Sequence, residues 1–224
     1  LACLFPEMLD SLASADAAGS AGARRLSDVI YPPTSFDPDA KARHEAELRE
    51  TRNAQPALGA VSLGAWRVLG QRFGVRAGAS AGHSSGELVA LAAAGGLSPP
   101  ELFALSHLRG RLMGEQPAGD PGAMLAVLAP LADIERVIAD QNLGLVVANK
   151  NGLSQTILSG ATAEVERAAA AFAAAGLKTA RLPVAAAFHS RFVAAAPGPL
   201  RAALEGVALG PGPVPVYSTT TAAE

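Results

Sequence analysis

Ser80-Ala81-Gly82-His83-Ser84-Ser85-Gly86-Glu87 runs without a break into Leu88-Val89-Ala90-Leu91-Ala92-Ala93-Ala94. The stretch holds Gly-x-Ser-x-Gly, a serine set between glycines on a turn too tight for side chains at the flanking positions. An apolar helix former comes directly after it. The pattern predicts strand, sharp turn and helix, with Ser84 on the turn. In that geometry the Ser84 hydroxyl is aimed outward, and the N–H groups of the first helical turn point at whatever is bonded to it. Ser84 is therefore the candidate nucleophile. A strand–elbow–helix unit of this kind puts the chain in the α/β class, with an α/β-hydrolase-like large domain around a parallel-sheet core.

The strand that feeds the elbow should occupy residues 75–81, although its small residues have poor β-propensity. Upstream, Gln55-Pro56 opens a helix with the proline suited to its first turn, and Leu58, Val61, Ala65, Val68 and Leu69 repeat at helical spacing up to Gly74. Residues 40–50 read as a solvated, charged connector. Before them, Tyr31-Pro32-Pro33 breaks any helix, and a short apolar helix frays into an Ala/Gly/Ser loop through Ala23.

Downstream, Ser98-Pro99-Pro100-Glu101 is a capping box with proline at the first helical position. At about 100° per residue, Leu102, Leu105, Leu108, Leu112 and Met113 share one side of that helix. Arg109 falls inside the apolar stripe and Arg111 opposite it. Desolvating a guanidinium is costly without a partner. Arg109 either closes an internal salt bridge or faces a ligand carboxylate, to which its planar fork is matched. The pattern leaves both open.

From Gly122 the texture changes. Strand-like Ala123-Met124-Leu125-Ala126-Val127-Leu128 leads into an amphipathic helix over 130–141. Strands over 145–149 and 155–160 come next, joined by a turn at Lys150-Asn151-Gly152, and a helix over 162–175 and a strand over 178–183 complete the series. The order β-α-β-β-α-β is ferredoxin-like. Residues 122–183 are assigned to an inserted ferredoxin-like small subdomain, and residues 1–121 and 184–224 to the large one. The chain re-enters the large part through Ala185-Ala186-Ala187-Phe188-His189-Ser190, and residues 214–218 read as an edge strand.

Composition narrows the classes. The chain has 224 residues, half of them hydrophobic and 17% charged, with a formal net charge of -2. That is enough to bury a substantial core, and it favours neither nucleic acid nor an anionic membrane as partner. One cysteine, Cys3, excludes an internal disulfide and a multi-cysteine metal site. No apolar run approaches the roughly 20 residues of a membrane span and no signal peptide is visible, so a cytoplasmic setting is expected. The chain begins Leu1-Ala2-Cys3 and ends Thr221-Ala222-Ala223-Glu224, which reads as a piece cut from something longer.

A serine hydroxyl needs a base. Of the four histidines, His44 lies in the charged connector, His107 on the polar side of the capped helix, and His83 inside the turn, which it supports. His189, between an apolar run and a new helix, is the base candidate. A hydrolase would add a carboxylate to orient it, but Asp120, Asp133 and Asp140 have no convincing context. Such a site would activate water poorly and could hold an acyl group until a thiol arrives.

Four runs carry a resemblance: Gly82-His83-Ser84-Ser85-Gly86-Glu87, Arg109-Gly110-Arg111-Leu112-Met113, residues 149–160, and Ala187-Phe188-His189-Ser190. With Gln55-Pro56-Ala57 they make the chain similar to malonyl-CoA:acyl-carrier-protein transacylases and, more narrowly, to acyltransferase domains of polyketide synthases. The resemblance implies that Ser84 is acylated, that His189 is general base and acid, and that Arg109 pairs bidentately with the malonyl carboxylate. It further implies an oxyanion donor in the Ser85 N–H and a substrate-binding place for Gln55 and Phe188. The family's Gly-Gln-Gly-Ser-Gln segment and its histidine-orienting carbonyl would lie outside residues 1–224. Its malonyl-selective His-Ala-Phe-His reads Ala186-Ala187-Phe188-His189 here. Phe188 stands where methylmalonyl-selective members carry a smaller residue, and Ser85 where they commonly carry Gln.

The resemblance also implies ping-pong transfer. Malonyl-CoA acylates Ser84, CoA leaves, and the phosphopantetheine thiol of an acyl carrier protein takes the malonyl group. The implied partners are malonyl-CoA, the carrier protein, and a neighbouring ketosynthase and other synthase domains, with no nucleic acid and no membrane. No metal or bound organic cofactor is expected. The rival readings are a serine esterase or thioesterase and a catalytically idle structural domain of a megasynthase.

Overall fold

The computed structural model describes the chain except residues 21, 23, 116–118 and 185. The end of the loop expected through Ala23 and the start of the return stretch at Ala185 thus lie partly outside the described residues. The chain forms two compact units, Leu1–Leu112 with Gly198–Glu224, and Met113–Pro197.

In the first unit, helices α1 (Pro6–Ala17) and α4 (Thr51–Phe73) pack side by side around Met8, Leu12, Ala60 and Leu63. Leu102 and Phe103 of α6 (Pro99–Gly114) complete this core, fully buried. Burying each such side chain contributes about 1.5–3 kcal/mol. Between α1 and α4 in the chain lie the short α2 (Leu26–Ile30) and α3 (Pro38–Arg49). The charged stretch read as a connector is this α3, which has no buried residue and is N-capped by Asp37.

Helix α4 departs from the sequence expectation. It starts at Thr51, so Pro56 lies inside it rather than in its first turn. Proline normally opposes this by clashing with the carbonyl one turn back. The added turn is held by tertiary contact instead: Thr51, Gln55 and Pro56 are buried, and α6 lies against it. The capping box, by contrast, forms as expected, with Ser98 N–H and Oγ both bonded to Glu101.

The strand before the elbow, β1, spans only Ser80–Ala81. It pairs in parallel with β6 (Val216–Tyr217), Ser80 opposite Val216. Both strands are shorter than expected, β1 for want of β-formers and β6 because Pro213 and Pro215 donate no ladder hydrogen bond. Helices α5 (Gly86–Ala93) and α9 (Pro197–Glu205) complete this unit.

The second unit is the ferredoxin-like arrangement. Strands β2 (Ala123–Leu128), β3 (Leu145–Gly152), β4 (Gln155–Gly160) and β5 (Lys178–Arg181) form one antiparallel sheet in the order β3-β4-β2-β5. Helices α7 (Leu131–Asp140) and α8 (Thr162–Ala174) cover one face through Ile134, Val137, Val165, Ala168 and Phe172. The expected turn at Lys150-Asn151-Gly152 is strand: β3 continues through two register shifts and the chain reverses at Leu153-Ser154. A bulge absorbs residues that a flat ladder would have forced into a turn. Phe188 packs on the other sheet face with Met124, Ala126, Ile157 and Leu182.

Candidate active site

Gly82 fixes the elbow. A Cβ built on it would collide with the Gly86 carbonyl, so only glycine lets β1 double back into α5 at this distance. The turn is closed by Gly86 N–H donating to His83 O at 2.9 Å and Glu87 N–H to Ser84 O at 3.2 Å. His83 thus supports the turn through its backbone, and its side chain is exposed. Ser84 takes φ 54°, the left-handed region, at a cost of about 1–2 kcal/mol for a residue with a Cβ. Outside the turn, Ser80 Oγ bonds Ala90 O at 3.1 Å and Trp66 Nε1 bonds Ala93 O at 3.2 Å, pinning α5 to β1 and to α4.

Helical phase places Arg109 on an apolar stripe, and the structure shows what it meets. Nη1 donates to Gln55 Oε1 at 2.7 Å and Nη2 to Ser84 Oγ at 3.1 Å. The partners are two neutral oxygens; among the described residues no carboxylate forms an ion pair with it. This removes the internal salt bridge as an account of Arg109. Burial pushes the pKa of the guanidinium down, while the Glu87 carboxylate acts against that shift.

Gly110 explains how Arg109 reaches Gln55. A Cβ there would stand 2.8 Å from Thr51 O and 3.2 Å from Arg52 Cα, so α6 crosses the first turn of α4 at backbone distance. Ser84 of the elbow, Gln55 of α4 and Arg109 of α6 are thereby brought together. Ser85 stands at the N-cap of α5, its hydroxyl making no capping bond.

Phe188 and His189 belong to the second unit. His189 is exposed and takes φ 56°, again left-handed. Next to it, Ser190 Oγ donates to Ala187 O at 2.5 Å and accepts from Phe192 N–H at 3.3 Å, starting the short 3-10 turn Arg191–Val193. The imidazole is thus carried on a locally braced corner.

Asp120 and Asp133, which lack context in the sequence, have structural partners. Asp120 accepts from Gly122 N–H, Thr162 N–H and Thr162 Oγ1, joining the start of β2 to the start of α8, and these bonds hold its carboxyl below the ordinary range. Asp133 pairs with Arg136 at 3.0 Å.

One residue of the elbow has a part that its sequence context does not reveal. Glu87 Oε1 accepts from Thr219 N–H and Thr219 Oγ1, each at 2.7 Å. Its place in the first turn after the nucleophile is the one local signal that points to it.

A separate cavity of about 210 Å³ is lined by Arg24, Arg25, Arg52, Arg111, His107 and Asp16, among others. Arg24, Arg25 and Arg52 are paired with Glu47, Asp28 and Glu50, so much of its charge is balanced internally. Among the described residues no group of three or more His, Cys, Asp or Glu could hold a metal ion, and no helix is long and apolar enough to cross a membrane.

Comparison with known proteins agrees with this architecture. The polyketide synthase GfsA of Streptomyces halstedii is 41% identical over 143 residues, covering 64% of this chain and 2% of that protein. The malonyl CoA-acyl carrier protein transacylase of Salmonella typhimurium is 35% identical over 176 residues, covering 77% of this chain and 57% of that one. A solved complex of a type II polyketide synthase acyl-carrier protein with its malonyl-transacylase superposes with a TM-score of 0.83 at 31% identity, covering 97% of this chain and 67% of that one. The chain thus spans a small part of the synthases and about half of the curated transacylases it matches. The family profile described as "Acyl transferase domain" matches residues 8–224. With that match over nearly its whole length, the chain belongs to the acyl transferase domain family.

Proposed function

We propose that the chain transfers a malonyl group from malonyl-CoA, through an ester on Ser84, to the phosphopantetheine thiol of an acyl carrier protein in polyketide or polyketide-like fatty acid synthesis. The observation that carries this reading is Arg109: a partly buried guanidinium bonded to Ser84 Oγ and to Gln55, with no carboxylate of the described residues in an ion pair with it. A substrate that brings its own carboxylate to within a few ångströms of its thioester fits that arrangement.

In the proposed reaction the malonyl carboxylate docks on Arg109 and His189 takes the Ser84 proton. Ser84 Oγ forms the new C–O bond at the thioester carbon, and the oxyanion is held by backbone donors of which the Ser85 N–H is one. The C–S bond then breaks and CoA thiolate leaves with the proton from His189. The carrier thiol reverses these steps. Phe188 narrows the space beside the malonyl methylene, which favours malonyl over an α-methylated unit. The partners are malonyl-CoA, the carrier protein and neighbouring synthase domains such as a ketosynthase, in the cytoplasm.

Incubation with radiolabelled malonyl-CoA tests the reading. A stable label lost in Ser84→Ala and chased onto holo carrier protein supports transfer. Rapid release of free malonate from the wild type would make the protein a hydrolase, and absence of any Ser84-dependent label would sink both.

A further inference from the structure

We propose that Glu87 is a positioning residue that tempers the Arg109 clamp, holding a fixed negative charge beside it so that a malonyl carboxylate is selected yet still able to leave with its carrier. The inference rests on the roles proposed for Ser84 and Arg109. Its geometric basis is the elbow. Glu87 stands in the first turn of α5, three residues after Ser84, and its N–H donates to Ser84 O at 3.2 Å. Arg109 Nη2 is bonded to the side chain of that same serine at 3.1 Å.

The Glu87 carboxylate is held in place. Thr219 N–H and Oγ1 both donate to its Oε1 at 2.7 Å, with Ser218 Oγ at 3.5 Å. Ser218 and Thr219 come directly after β6, which is paired to β1 ahead of the elbow. These donors are neutral, and among the described residues Glu87 makes no ion pair. Its charge is therefore positioned but not cancelled, in keeping with its upward pull on Arg109.

A guanidinium stays charged at neutral pH with or without this neighbour. An arriving carboxylate is attracted by Arg109 and repelled by Glu87, so removing the Glu87 charge strengthens the grip on malonyl. A ligand without a carboxylate, such as acetyl, is indifferent to it. Since malonyl leaves with its carboxylate still attached, an untempered clamp would oppose the second half of the reaction.

The test uses Glu87→Gln in the intact protein, because the amide keeps an oxygen acceptor for Thr219 while dropping the charge. The KM for malonyl-CoA should fall by about fivefold and that for acetyl-CoA stay unchanged, the size expected for one nearby charge at intermediate dielectric. A second variant, Thr219→Val, keeps the charge but strips one neutral donor from it, and should raise the malonyl-CoA KM. An unmoved malonyl-to-acetyl KM ratio in Glu87→Gln, or a parallel shift for both substrates, overturns the proposal. So does a lowered malonyl-CoA KM in Thr219→Val, should the first variant not fold. If the wild type takes no malonyl label on Ser84, the reading beneath it fails instead, and this inference with it.

Discussion

Arg109 holds Ser84 and Gln55 with the two arms of one guanidinium, Nη2 to Ser84 Oγ at 3.1 Å and Nη1 to Gln55 Oε1 at 2.7 Å. A guanidinium carries five N–H donors, and these two bonds occupy two of them, leaving others for a carboxylate. A carboxylate that took over the Nη2 bond would free the Ser84 oxygen from the guanidinium.

Arg109→Ala should therefore shift preference from malonyl-CoA towards acetyl-CoA. Loss of a charge-assisted bidentate pair corresponds to about a hundredfold in kcat/KM for malonyl-CoA. Arg109→Lys should lose much of the same, since a point charge cannot span both partners. Competition between the two thioesters reads both variants, and an unchanged preference would remove Arg109 from carboxylate recognition.

Gly110→Ala should act on the same site from behind. Its methyl would meet Thr51 O at 2.8 Å, prising α6 from α4 and with it Arg109 from Gln55. Overpacking of this kind costs about 1–3 kcal/mol. Denaturant melts should show that loss together with a raised malonyl-CoA KM.

Gly82→Ala should not be tolerated. The clash is with the Gly86 backbone, which has no flexible end to move aside, so the elbow itself must open. A loss of about 3 kcal/mol or more is expected, with no acylation of Ser84 by malonyl-CoA in whatever folds.

The second unit should weaken in acid through Asp120. Its carboxyl is held below its ordinary value of 3.8 by bonds from Thr162 and Gly122. A depressed carboxyl stabilises above its unfolded pKa, and that contribution is lost as pH falls through the lower folded value. Denaturant midpoints of the wild type should drop as pH falls below about 4. Asp120→Asn should begin lower at neutral pH and lose this part of the slope.

The elbow is legible in the sequence because two glycines and a helix former leave the serine one conformation. Arg109 is legible because helical phase puts a charge where leucines belong. The ferredoxin-like unit is legible through its alternation of strand and helix patterns. The features that escape depend on distant partners. The first turn of α4 exists because Gly110 of another helix packs on it, against the local preference of Pro56. The β3–β4 reversal sits at Leu153-Ser154 because bulges, not a turn, absorb Lys150-Asn151-Gly152. Glu87 meets Thr219 across 132 residues, a separation at which no local pattern speaks.

Ser84 and His189 both sit on left-handed backbone, at φ 54° and 56°, where glycine would be at ease and any other residue is strained. Asn142 and Ala222 share that region, at φ 46° and 54°. Strain of this kind persists only where the surroundings over-determine it, as the closed turn does around Ser84 and the Ser190 bonds do beside His189. Glycine at either Ser84 or His189 would relieve the backbone while removing the hydroxyl or the imidazole that the proposed chemistry uses.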